Sequence, residues 1–171
     1  GYCYLNNAAA AVWTLCEGGV KPVGVLDLDL NYPNGTSALI ERMEGVKLHS
    51  LHAAPVTNVP AGTVLPRISG ERVVAFERAP DARTYVAEVS RSIDALAAEA
   101  TALVVSLGYD TVAGDPHGDW SFRPEIFAEI GRLLARSGLP VCVIQEGGYA
   151  LDELADCSHA FATGLLGSGE R

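Results

Sequence analysis

Positive charge is scarce in this chain: 12 Lys and Arg stand against 21 Asp and Glu, a formal net charge of -9. A surface so poor in basic residues argues against nucleic acid as a partner, because the phosphate backbone is met by basic patches. The deficit suits a cationic ligand, or simple solubility. Cysteine is sparse too, and Cys3, Cys16, Cys142 and Cys157 form no CxxC pair. That spacing implies neither a disulfide framework nor a thiolate zinc site, so a reducing cytoplasm is the default location. Cys142 lies within an apolar run and reads as a small hydrophobe. Long hydrophobic runs are missing as well. Val23–Leu26 and Ala102–Val105 are far too short to span a bilayer, so no membrane association is expected. No basic segment precedes an apolar stretch at the start, so no signal peptide is expected. The single methionine is Met43 and the chain opens at Gly1, which reads as a partial sequence or one shortened upstream.

What is present is enough for one globular domain. The 171 residues are 49% hydrophobic and 19% charged, which supports a core without disulfides or structural metal. Leu5 to Cys16 is alanine-rich and ends at Gly18-Gly19, the pattern of a glycine-stopped helix. Val23 to Leu30 reads as a buried strand turning acidic at its end. Asn34-Gly35 marks a turn, with Thr36 expected to cap a short helix to about Met43. Val46 to Leu51 is a second strand, and Ala53 to about Arg72 reads as loop. Asp81 is placed to cap an amphipathic helix to about Ala98, with Val86, Val89, Ile93 and Leu96 on one stripe. Ala102–Leu107 is a third strand, followed by a helix from Pro124 to about Ser137. Leu139–Gln145 is a fourth strand, and a last helix runs from about Leu151 to Leu165. Trp13 and Trp120 read as packing residues, with Trp120 placed to border a pocket.

Strands alternating with helices predict a mainly parallel α/β sheet covered on both faces, a three-layer single domain over residues 1–171. In such sheets, ligands bind outside the carboxyl ends of the strands. Three strands here end in polar loops: Asp27-Leu-Asp29-Leu-Asn31, Leu107-Gly-Tyr-Asp110 and Glu146-Gly-Gly-Tyr149. Asp29 and Asn31 are two apart and share a face. Asp110 would reach the same space from another strand end. Two carboxylates meeting there call for a cation between them or a proton on one. The alternative is that these aspartates merely cap helices and turns.

These segments resemble the histone deacetylase superfamily, including bacterial acetylpolyamine amidohydrolases. GYCYLNNAA is similar to the segment after that family's tandem histidines, DLDLNYPNGT to its metal motif, SLGYDTVAGDP to its L-G-x-D-x-x-x-G-D-P motif and QEGGYA to its E-G-G-Y motif. They stand in family order over most of the chain. The resemblance implies an arginase/deacetylase-like fold lacking the N-terminal part, and metal-assisted hydrolysis of an acylated amine. It implies Asp29 and Asp110 as ligands of zinc, with Asn31 at a third ligand position, and Tyr149 as the oxyanion donor. Asp27 would support a catalytic histidine and, with Ser50, hold a monovalent cation such as potassium. Gly1, Tyr2, His117 and Gly148 would line the substrate channel.

Asn31 departs from the family pattern, which has histidine there, and Tyr32-Pro33 follows where His-Gly is expected. Zinc favours imidazole or thiolate, whereas an amide with two carboxylates suits magnesium, calcium or manganese. Zinc is therefore expected to bind weakly or not at all. The tandem histidines would precede Gly1. His49 and His52, near a strand end, are candidates to replace the lost imidazole; His159, inside a helix, has no assigned role. Three readings stay open: a zinc deacylase acting on an acetylpolyamine or acetyl-lysine, a catalytically inactive binding or regulatory homologue, and a metal-independent acid–base enzyme using the carboxylates. An incomplete sheet would also leave an edge or apolar face open, favouring a homodimer or a partner chain.

Overall fold

The structure, a computed structural model, describes residues 3–55 and 71–167. Helix α1 (Asn7–Glu17) begins where Asn6 Oδ1 accepts the Ala9 N–H at 2.7 Å, two residues later than its apolar composition predicts. Strand β1 (Val23–Asp27) is buried throughout but stops short of the expected Leu30. Helix α2 (Asn34–Ile40) starts before Thr36. Thr36 does not cap it; its hydroxyl accepts from Asn6 Nδ2 at 2.9 Å and ties the starts of the two helices together.

Strand β2 (Val46–Ala53) is followed, beyond residues 56–70, by β3 (Arg72–Phe76). The sequence pattern misses β3, which starts at Arg72, where the stretch read as loop ends. Its exposure alternates, with Val73 facing solvent, and Arg72 enters the fold by pairing rather than by apolar burial. Arg72 Nη1 donates to Ser92 at 2.8 Å and Nη2 to Glu88 at 2.5 Å, both on α3 (Ala82–Ala97). Asp81 caps α3 as expected, accepting the Thr84 N–H at 2.9 Å. Strand β4 (Ala102–Leu107), helix α4 (Pro124–Arg136), strand β5 (Val141–Gln145) and helix α5 (Leu151–Leu166) complete the order.

The five strands pair in parallel in the order β3-β2-β1-β4-β5. On one face, α3, α4 and α5 bury a core that includes Leu26, Leu51, Val89, Leu103, Phe127, Leu134 and Phe161. On the other, Val12 of α1 and Ile40 of α2 pack on Val25, Leu48 and Val104. Three layers result, as expected. Trp120 belongs to the first core, within an aromatic cluster with Phe76, Tyr85 and Phe122. Two expectations of burial fail. Trp13 is 58% exposed on the outer side of α1, and Cys142 is exposed because β5 is an edge strand covered only in part.

The order of strands places the site. From β1 the chain moves outward one way through β2 and β3, then returns to add β4 and β5 on the other side. The connections after β1 and β4 therefore diverge, which opens a crevice at their carboxyl ends. Among the described residues, no helix is long and apolar enough to cross a membrane.

Candidate active site

Past Asp27 the chain stays pinned to the sheet: the Leu28 N–H donates to Ser106 O at 2.8 Å, and the Ala53 N–H to Leu30 O at 2.8 Å. Leu28 and Leu30 point into the core, so alternation turns Asp29 and Asn31 the other way. Asp29 Oδ1 accepts the Asn31 N–H at 2.8 Å, and Oδ2 accepts the Gly147 N–H at 3.0 Å. Asp110 Oδ1 accepts the Leu30 N–H at 3.1 Å. The Tyr109 N–H donates to Gly147 O at 2.7 Å. Three strand-end loops are thus laced together through the two carboxylates.

Glycine at two positions makes this possible. A Cβ on Gly108 would lie 2.6 Å from Asp110 Oδ1 and 2.9 Å from Asp29 Oδ2. One on Gly147 would lie 2.5 Å from Asp110 Oδ2 and 2.8 Å from Asp29 Oδ2. Both backbones run where a side chain would collide with the carboxylates. Burial, and then the charge of Asp29, raise the Asp110 pKa to about 8. Burial beside a second carboxylate thus favours the neutral form of Asp110 over its charged form.

Asp27 sits deeper, beside Ser50 on β2 and Ser106 on β4 in the strand register. Burial raises its pKa well above the carboxylate range, and the charges of Asp29 and Glu146 add to the rise. The Ser106 hydroxyl is near enough to temper that rise, but Asp27 Oδ1 and Ser106 Oγ have no hydrogen-bond partner among the described residues. Glu146 is raised by burial and then by Asp29. Among the described residues, no Lys or Arg forms an ion pair with Asp27, Asp29, Asp110 or Glu146.

Asn31 keeps close to Asp29, with Nδ2 3.5 Å from Oδ1. Gly148 packs against Tyr109, and the Tyr149 ring meets the His117 ring at 4.4 Å between centroids and 63° between planes. Sequence reasoning gave His117 and Tyr149 separately; the fold makes them neighbours. Gly1 and Tyr2 lie outside the described residues. His52 is buried, with Nδ1 2.9 Å from Ser50 Oγ and its ring 5.1 Å from that of Tyr32. Burial lowers its pKa to about 4. His49, on the opposite face of β2, is lowered to about 4 by burial and then by Arg72 and Lys47. Neither joins the carboxylates: among the described residues no group of three or more His, Cys, Asp or Glu is arranged to hold a metal. Asp115 escaped the sequence reading, although Gly114-Asp115-Pro116 has the composition of a turn whose carboxylate bonds backbone N–H groups.

An α/β fold with a parallel sheet and a carboxylate centre at its switch point defines the class, and hydrolases are among the proteins built this way. Residues 1–165 match the model of the histone deacetylase domain, and the chain belongs to that family. It is 32% identical over 162 residues to the acetylpolyamine amidohydrolase of Mycoplana ramosa, covering 90% of this chain and 48% of the relative. Identity with acetylpolyamine amidohydrolase 1 of Pseudomonas aeruginosa is 33% over 162 residues, covering 90% and 47%. The crystal structure of the acetylpolyamine aminohydrolase of Burkholderia pseudomallei superposes with a TM-score of 0.87 at 27% identity, covering 98% of this chain and 51% of that one. The chain spans about half the length of the curated relatives it matches.

Proposed function

We propose that this chain carries the pocket of a hydrolase of acylated amines, of the acetylpolyamine or acetyl-lysine kind, and that zinc-dependent deacetylation by this chain is weak or absent. The observation that carries this reading is the donor set. Asp29, Asp110 and Asn31 offer carboxylates and an amide where zinc favours imidazole or thiolate, and three of the four carboxylate oxygens already accept backbone N–H bonds. The residues present do not fit zinc; a harder cation such as magnesium, calcium or manganese suits their oxygens better.

The chain's own residues would bind and orient. Tyr149 would offer its hydroxyl to the acyl oxygen, and His117 and Gly148 would line the approach of the amine. Asp27 Oδ1 is buried and has no hydrogen-bond partner among the described residues. That fits support of an imidazole, or a monovalent cation such as potassium shared with Ser50.

The test is the zinc content of purified protein and of Asn31→His. Substoichiometric zinc in the parent and roughly one zinc in the variant support the reading. Stoichiometric tight zinc in the parent, with chelator-sensitive turnover of an acetylated polyamine, would overturn it. A second reading, metal-independent acid–base chemistry, draws on the raised pKa of buried Asp110 beside Asp29. Turnover that survives a chelator and disappears in Asp110→Asn would favour it. Binding of the acetylated polyamine with no turnover in either protein would instead favour a binding homologue.

A further inference from the structure

Asp115 is 5% exposed, and no Lys or Arg among the described residues pairs with it. Its two oxygens are used by backbone N–H groups from two separate loops. Oδ1 accepts from His117 at 2.8 Å; Oδ2 accepts from Tyr149 at 2.7 Å and from Ala150 at 3.1 Å. One side chain therefore spans the turn after β4 and the loop after β5, 34 residues apart for the Tyr149 contact.

We propose that Asp115 is a positioning residue of the centre, which locks His117 and Tyr149 into one aromatic wall. The inference rests on reading Tyr149 as a pocket residue. Side-chain carboxylates fasten the loop holding Tyr149 at two points, by the Gly147 N–H on Asp29 Oδ2 and by the Tyr149 and Ala150 N–H groups on Asp115 Oδ2. The first fastening sets the depth of the loop against the carboxylates. The second sets the swing of Tyr149, because it acts on that residue's own backbone.

A carboxylate is needed for chemical reasons. All three partners are donors, and an ionised carboxylate only accepts. An amide of the same shape must turn its NH2 toward one of the loops, so it holds His117 or Tyr149 but not both. The turn that carries Asp115 has further supports. The Ala113 N–H donates to Phe122 O at 2.9 Å, and the Phe122 N–H to Thr111 O at 3.2 Å. Losing the carboxylate should therefore release the link between loops while the turn persists. The competing role is plain capping of α5, whose first residues lack a side-chain cap of their own. Capping alone predicts a less stable helix with the aromatic pair intact.

The experiment is an NMR comparison of isotope-labelled full chain with Asp115→Asn, reading the NOE between the His117 and Tyr149 rings and the ring-current shift of the His117 protons. Tyr149→Phe, which keeps the ring, assigns the signal. Asp81→Ala, which removes the cap of α3, controls for lost stability elsewhere. The expected result is a strong cross-peak in the parent and in Asp81→Ala, and a severalfold loss in Asp115→Asn with core methyl signals retained. An unchanged cross-peak in Asp115→Asn overturns the proposal. Should Asp115→Asn fail to fold, Asp115→Ser, too short to bridge both loops, is read in the same way; failure of both to fold makes Asp115 a residue of the fold and also overturns it. The readout needs neither zinc nor turnover, so it stands or falls apart from the result with Asn31→His.

Discussion

At the carboxylate pair, two glycines matter as much as the two aspartates. Gly147→Ala would put a methyl group against Asp110 Oδ2 and Asp29 Oδ2, side-chain ends that the Leu30 and Gly147 N–H bonds to these carboxylates keep from swinging away. The expected cost is about 1–3 kcal/mol in urea denaturation, the range for forcing extra atoms into a packed site. An unchanged midpoint would mean that the loop can move aside and that the lacing is loose. The aspartates themselves were legible from the strand-end pattern, since alternation puts Asp29 and Asn31 on one face. The need for Gly108 and Gly147 was not, because it arises from how closely two other strand ends approach. Asp115 was hidden for the same reason: its partners include Tyr149 and Ala150, far along the chain.

Among the helices, α3 was read most nearly in full. Its apolar stripe and the capping Asp81 are local signals, and the structure keeps both, from Ala82 to Ala97. Removing the cap in Asp81→Ala should cost about 1 kcal/mol of stability, measured by thermal denaturation, without changing the pocket. No loss would mean that the solvent-exposed Thr84 N–H is satisfied equally well by water. Strand β3 shows the limit of local reading. It is short and half exposed, and its Arg72 is held by Glu88 and Ser92 of a later helix, so its place depends on contacts absent from its own segment. Trp13 and Cys142 fail in the opposite way. Each has an apolar character that suggests burial, but neither position is fully covered: one is on the outer side of α1 and the other on edge strand β5.

Over the whole molecule, buried titratable groups set opposing dependences on pH. His49 and His52 fall from 6.5 to about 4 on folding, so the stability tied to their neutral forms is present above 6.5 and is lost as pH drops toward 4. Asp110 goes the other way. Its folded value of about 8 lies above the ordinary 3.8, so its contribution is full below 3.8 and is lost as pH rises through 8; Asp27 acts in the same direction. Between 4 and 6.5 the two sets oppose one another, and above 6.5 only the carboxyl groups remain. Chelator-treated protein should therefore lose stability from pH 6.5 to 8, and Asp110→Asn should flatten much of that loss. Denaturation midpoints that stay level in the parent over this interval would rule the account out.

The sequence by itself determined the alternation of strands and helices, the polar strand ends and the family motifs, including the asparagine at position 31. These follow from periodicity, turn chemistry and local order, all of which act within a few residues. Only the tertiary structure decided that Asp29 and Asp110 meet over Gly108 and Gly147, that His117 faces Tyr149, and that His49 and His52 stay apart from the carboxylates. Those outcomes depend on the reversal of strand order at β1 and β4, which brings together loops from distant parts of the chain.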